Sequence, residues 1–364
     1  LRVLVINTTP FTYQGIACVI RNYCFRINSP GLELQYAVFD LHPELEKELK
    51  QSGLVYYRLA SRKDNSRIYF KQLKLLLKNG HFDCVHIHGN SAMMLPELVL
   101  AKNCGIKIRI VHCHNTTCNN PLLNSLLLPL FYRLSTCRLA CSEEAGNWLY
   151  KGRSYTVLNN AIDTEVFRFD ELKRNRNRKE LGLENQFVIG HIGRINEQKN
   201  HKYLVRVFKE FHDHVPDSKL ICIGEGALRP DLEQLISDLK LEEHVMLLGE
   251  HKNVENLLNA MDCFVFPSKW EGLGMVLLEA QAGGLPCIAS DAVPGEADMG
   301  LTRYLPLGNM APWCRAIEDI KNREQNRCKT SELCIRTLKH KSYDLNENVK
   351  QLVQIYLDIS HAGT

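Results

Sequence analysis

The sequence predicts an α/β fold built from two successive Rossmann-like halves. Apolar strand-like runs alternate with helically spaced segments, a polar, Arg-rich stretch at residues 168–186 interrupts that rhythm, and the rhythm then restarts. The 364-residue length points the same way, being too great for one core of ordinary size and matching two domains of about 150 to 200 residues.

In the first half, Arg2 to Asn7 is a buried-strand pattern, and apolar stretches recur at 34–39, 84–88, 108–112 and 138–142. Ile68, Leu73, Leu76 and Leu77 have helical spacing between two of them. In the second half the strand runs are 187–193, 219–224, 245–249, 262–267 and 286–290, and Leu204, Val207, Phe208 and Phe211 mark an intervening helix face. Near the end, Leu345, Val349, Leu352, Val353, Tyr356 and Leu357 predict an amphipathic helix. The expected domains are 1–165, joined by 343–364, and 166–342. In such paired open sheets a ligand binds in the cleft between the halves.

Composition excludes several classes. No apolar run reaches the roughly 18 to 20 residues of a spanning helix, and the opening strand lacks the order of a signal peptide, so a cytoplasmic protein is expected. The fourteen cysteines are scattered through strands and helices of a long chain, which suits reduced, buried thiols. His112, Cys113, His114 and Cys118 have the residue types for zinc but no second pair at finger spacing, and no metal is expected. Gly224-Glu225-Gly226 follows a strand without a third glycine opening a helix, so it reads as a tight turn and no dinucleotide cofactor is expected. Residues 1–165 carry 19 lysines and arginines against 12 acids, the remainder 26 against 29. A basic first half suits an anionic surface or ordinary solubility; no nucleic-acid partner is expected.

Two segments carry the chemistry. Gly193-Arg194 ends a strand, and Lys199 follows just before a helix. Two cations beside a helix N-terminus make a diphosphate site, although taken alone the pair also reads as a solvated loop. Ser268 to Glu279 follows another strand. There Gly272 and Gly274 let backbone approach a ligand while a helix begins, with Glu271 before the turn and Glu279 within the helix. Carboxylates so placed can accept hydrogen bonds from sugar and ribose hydroxyls, or serve as helix-terminal charge and a lysine partner.

Gly193-Arg194 with Lys199, Glu271-Gly272-Leu273-Gly274 with Glu279, Gly283-Gly284-Leu285-Pro286 and Ser290-Asp291 resemble, in order and spacing, the signature of family 4 glycosyltransferases of the two-domain GT-B type. The resemblance covers nearly the whole chain and is weaker in its first half. It implies two Rossmann-like domains facing each other across a cleft, the last helix returning to the first. It implies a nucleotide-diphosphate sugar, with a UDP or GDP base, as co-substrate, a glycan or lipid-linked acceptor, retention of configuration, and bacterial surface polysaccharide as product. Residues matching Arg194 and Lys199 bind the donor diphosphate in such enzymes, Glu271 meets the sugar, Glu279 holds the ribose, and Leu273, Gly274, Met275 and Val276 form a backbone cradle.

The family pattern also places a functional histidine at the end of the strand 108–112. His114 is preferred over His112 because it lies farther beyond the strand, while His86 and His88 read as structural. The first turn departs from the paired glycines common in the family. Thr12-Tyr13-Gln14-Gly15 keeps one glycine, Gly15, to offer its N–H to the donor phosphate, with Gln14 beside it. Asn160 and Asp163 match a family segment and equally suit an Asx turn. Leu122, Leu123, Leu126, Leu127, Leu128, Leu130 and Phe131, with Arg133, Arg138 and the basic series Arg67, Lys71, Lys74 and Lys78, fit peripheral docking of the first domain on the inner face of a membrane. They equally fit a buried helix beside a solvated face. The competing functions are a nucleotide-sugar epimerase of the same fold and a non-catalytic sugar-nucleotide binding protein. A metal-dependent transferase would want a D-x-D pair, which is absent.

Overall fold

A computed structural model of the chain describes residues 1–12, 15–251 and 253–362. The chain divides into two compact units, residues 1–161 with 345–364, and residues 162–344.

The first unit is a parallel seven-stranded sheet. Its strands are β1 (Arg2–Asn7), β2 (Glu33–Val38), β3 (Val55–Arg58), β4 (Cys84–Gly89), β5 (Ile108–Cys113), β6 (Cys137–Ala140) and β7 (Thr156–Val157), in the order β3-β2-β1-β4-β5-β6-β7. Strands buried on both faces read as nearly continuous apolar runs, which is why β1, β4 and β5 were legible while the half-exposed β3 was not. Alternate residues feed two cores. Leu4, Ile6, Val85, Ile87 and Val111 pack under helices Ser66–Asn79, Leu95–Asn103 and Pro121–Leu134. Val3, Val5, Cys84, Ile108 and Ile110 face the other way. There they meet helix Gly15–Cys24 and the C-terminal helix Leu345–Ala362, which packs through Leu345, Leu352 and Tyr356.

The second unit repeats the plan with β8 (Phe187–Ile192), β9 (Ser218–Ile223), β10 (Val245–Leu247), β11 (Cys263–Phe266), β12 (Cys287–Ser290) and β13 (Thr302–Leu305), ordered β10-β9-β8-β11-β12-β13. Counted within the unit this is 3-2-1-4-5-6, the doubly wound order whose direction reverses between the first and fourth strands. The Arg-rich stretch that reads as an interruption contains a helix, Glu171–Glu180, capped by Asp170, whose side chain accepts from Lys173 N–H at 3.0 Å. Arg174 and Arg178 tie it to Asp262 at 2.5 and 3.0 Å, so these two cations are structural fasteners. Arg174, Asp262 and Arg327, whose guanidinium donates to the carbonyls of Gly283, Asn259 and Met261, also line a cavity of about 680 Å³ that includes none of the candidate site residues.

Candidate functional site

The reversal of strand order opens the second sheet between β8 and β11, where ligands bind in this architecture. The loops leaving those two strands carry the cationic and carboxylate residues singled out from sequence. They are stitched together: Lys269 N–H donates to Gln198 O at 2.8 Å, Gln198 Nε2 to Trp270 O at 2.9 Å, and Asn200 Nδ2 to Pro267 O at 3.2 Å. Lys199 Nζ meets Glu271 Oε1 at 2.6 Å, with side-chain exposures of 17% and 8%. The same ammonium sits 4.5 Å from the centre of the Phe266 ring. Gly193 is needed for this approach, because a Cβ there would come within 2.9 Å of Lys199 Cγ. Arg194 is exposed, with no hydrogen-bond or ion-pair partner among the described residues.

Gly274 takes φ +80° at the start of helix Met275–Ala282, a conformation that suits glycine. A Cβ there would press on Phe266 Cε1 at 3.3 Å. The helix has no side-chain cap and no acid in its first turn, so Met275 and Val276 present its positive end beside half-buried Leu273. Glu279 lies one turn further along. Burial, reinforced by Glu255, pushes its carboxyl up to about 7, and no side-chain partner neutralises it among the described residues. Such a carboxyl costs the fold stability and is suited to a ligand hydroxyl.

Gly224 and Gly226 belong to the supporting turn, as their spacing suggested. Gly224 N–H donates to Gly249 O at 2.8 Å, and a Cβ at either glycine would collide with the backbone of Gly193 or Ile195 at 2.2 and 2.1 Å. Asp163 caps helix Thr164–Phe167, accepting from Glu165 N–H at 3.2 Å.

In the first unit, Gly15 opens helix Gly15–Cys24 at φ +58° with open space where a Cβ would stand; Tyr13 and Gln14 lie outside the described residues. His114 follows β5, half-buried, its Nε2 2.9 Å from His88 Nδ1, and burial pushes its imidazole down to about 3, so it is neutral. His86 and His88, read as structural, join His112 and His114 on one sheet face: the ring centre of His88 lies 5.1 Å from those of both His112 and His114. Two H-x-H pairs on adjacent parallel strands are the sequence signal for that grouping. The structure also adds Phe266, Gln198 and Asn200, which no motif announces. Cys113 faces the opposite core and donates its thiol to Asn115 O at 3.2 Å, so the run His112 to Cys118 does not form a single ligand set.

Two Rossmann-ordered units in one chain, the second with cations, carboxylates and an open helix end at its strand-order switch, define a glycosyltransferase of the GT-B type. Residues 173–300 match the family described as Glycosyl transferases group 1, and residues 13–166 match Glycosyltransferase Family 4. EpsF of Bacillus subtilis is 30% identical over 325 residues, covering 85% of this chain and 84% of that one. The UDP-Gal:alpha-D-GlcNAc-diphosphoundecaprenol alpha-1,3-galactosyltransferase of Escherichia coli is 32% identical over 59% of each chain. Anabaena HepE in complex with UDP shares the fold at TM-score 0.81 and 17% identity, over 98% of this chain and 100% of that one. The chain belongs to glycosyltransferase family 4. No helix among the described residues is long and apolar enough to cross a membrane.

Proposed function

We propose that this chain transfers a sugar from a UDP- or GDP-sugar to a glycan or lipid-linked acceptor, with retention of configuration and without a divalent metal at the diphosphate, in bacterial surface polysaccharide synthesis. The observation that carries the reading is the pairing of loops at the switch between β8 and β11, which sets Lys199 beside Glu271 and an uncapped helix end. Arg194, Lys199 and the N–H groups at Gly274, Met275 and Val276 stabilise the charge that grows on the departing diphosphate. The bond from the anomeric carbon to the β-phosphate oxygen breaks. The acceptor hydroxyl oxygen bonds to that carbon on the same face, and its proton passes to the departing phosphate oxygen. Glu271 and His114 are assigned to the sugar, Glu279 to the ribose, and Gly15 and Leu273 to donor backbone contacts.

Support for the donor comes from HepE, described with UDP, and for the acceptor from the Escherichia coli relative, named for a diphosphoundecaprenol-linked sugar. A lipid-linked acceptor fits peripheral contact of the first unit with the inner face of a membrane. Leu122, Leu126 and Leu130 are 86%, 76% and 45% exposed on one helix, and Arg67, Lys71, Lys74 and Lys78 are exposed on another that packs on the same sheet face. The test is to screen nucleotide sugars by thermal shift, then incubate the stabilising donor with and without a polyprenyl-diphosphate sugar, omitting Mg²⁺ and Mn²⁺. Transfer only with acceptor is the expected result. Interconversion of donor alone would identify an epimerase, binding without turnover a sensor, and a strict need for either ion would overturn the metal-free step.

A further inference from the structure

We propose that the first unit binds one first-row transition-metal ion of the zinc class between His86, His88 and His112. The period-two geometry of strands makes the cluster. His86 and His88 share one face of β4, His112 lies on the same face of β5, and the parallel register sets His88 directly beside His112. Ring centres are 4.1 Å apart for His86 and His88, 5.1 Å for His88 and His112, and 5.5 Å for His86 and His112, the last pair stacked within 6°. One ring nitrogen from each of the three lies within 4.8 Å of the others, and the residues are 0%, 2% and 2% exposed. Ligands at the usual zinc–nitrogen distance of about 2.0 Å stand roughly 3.3 Å apart in a tetrahedron, a gap that small ring rotations close.

Hydrogen bonding points to the same conclusion. His86 Nδ1 meets Tyr356 Oη at 2.6 Å and His88 Nδ1 meets His114 Nε2 at 2.9 Å, so each ring is held from its outer nitrogen. The Nε2 atoms of His86 and His88 and both ring nitrogens of His112 are buried without a partner. Buried polar atoms are nearly always paired, and four orphans within one cluster require a common explanation. A cation accepting three imidazole lone pairs accounts for three of the four, one from each ring, and the outer hydrogen bonds of His86 and His88 are what ligating histidines ordinarily have. Three imidazoles without a carboxylate select Zn²⁺, Co²⁺, Ni²⁺ or Cu²⁺ over the oxygen-seeking Mg²⁺ and Ca²⁺. A water completes four-coordination. The ion clamps β4 to β5 and, through Tyr356, fixes the C-terminal helix; it has no part in neutralising the donor diphosphate.

The full chain, stripped with chelator and dialysed against Co²⁺ and then Zn²⁺, tests this by elemental analysis and visible absorption. One ion per chain is expected, with the d–d bands of four-coordinate Co²⁺ lost on Zn²⁺ exchange. His86→Gln and His112→Gln should each weaken Zn²⁺ binding at least about 10-fold, while His244→Gln, in the separate His212–His244 pair of the second unit, leaves it unchanged. Should the cluster variants fail to fold, X-ray absorption of the zinc-loaded native chain decides, with three imidazole nitrogens at about 2.0 Å expected. Failure of the native chain to retain an ion, full binding by folded His112→Gln, or a shell of oxygen or sulfur would overturn the site. None of these readouts involves a sugar nucleotide, so the metal site and the proposed transfer can fail independently.

Discussion

Lys199 and Glu271 pair at 2.6 Å, so the proposed donor diphosphate would share the ammonium with the carboxylate. Replacing Lys199 with Met should lower transfer by about 100-fold, the effect of losing one preorganised group at a developing charge. Near-full activity in the folded variant would remove Lys199 from the chemistry. Glu271→Gln should impair transfer yet not weaken binding of the bare nucleoside diphosphate, because its proposed partner is the sugar and it is paired with Lys199. Glu279→Gln should weaken both nucleotide and nucleotide sugar by roughly 10- to 150-fold, the value of a charged hydrogen bond. Calorimetry on both variants separates the two roles, and equal losses of nucleotide affinity would merge them. The raised carboxyl of Glu279 adds a pH signature. Its folded value near 7 lies above the ordinary 4.5, so the folded state holds the proton more tightly and stability from this group declines as pH rises from about 4.5 to 7. Glu279→Gln should therefore stabilise the protein by about 1 to 3 kcal/mol above pH 7 and by little near pH 4. Denaturant titrations at both pH values check it; a gain equal at the two would sink the assignment. At this scale the placement of Arg194, Lys199, Glu271 and Glu279 beside the strand-order switch was legible because turn glycines and strand ends flag it. The Lys199–Glu271 contact was not, since its partners lie 72 positions apart and only sheet order joins them.

The helix Pro121–Leu134 shows how an apolar run divides between two tasks. Leu128, Phe131 and Leu134 are buried in the core and Asn124 accepts from Ala92 N–H at 2.8 Å, whereas Leu122, Leu126 and Leu130 face outward. Sequence alone left a docking helix and a buried helix as alternatives, because nearly continuous leucine hides the stripe that burial reveals. Leu122→Glu with Leu126→Glu should abolish sedimentation with anionic phospholipid vesicles while shifting the melting temperature little, as exposed substitutions usually do. Unchanged sedimentation would leave the leucines without a membrane role. The helix Glu171–Glu180 was hidden for the opposite reason: it lacks an apolar face and is held by Arg174, Arg178 and Asn177, whose partners lie 79 to 88 positions away. Strand β7, with two residues, and the partly exposed β13 were too short or too wet to print an alternating pattern.

Across the whole molecule, the doubly wound plan was legible twice because parallel strands buried on both faces leave unmistakable apolar runs. Bare nucleoside diphosphate should protect amides at 193–199 and 271–279 from hydrogen exchange and leave the strands of the first unit unchanged, as measured by mass spectrometry on the full chain. Protection confined to the first unit would misplace the nucleotide. The least legible feature at this scale was the face of the first sheet that carries His86, His88 and His112, since its cover comes from residues more than 200 positions further along. That cover has a consequence for biosynthesis. Residues 162–344 are contiguous and can fold once they leave the ribosome, whereas the first unit lacks Leu345, Leu352 and Tyr356 until the last helix emerges. The half made first is therefore the half finished last, and a chain cut after residue 344 and released from the ribosome would carry a completed second unit together with an open, chaperone-accessible first sheet.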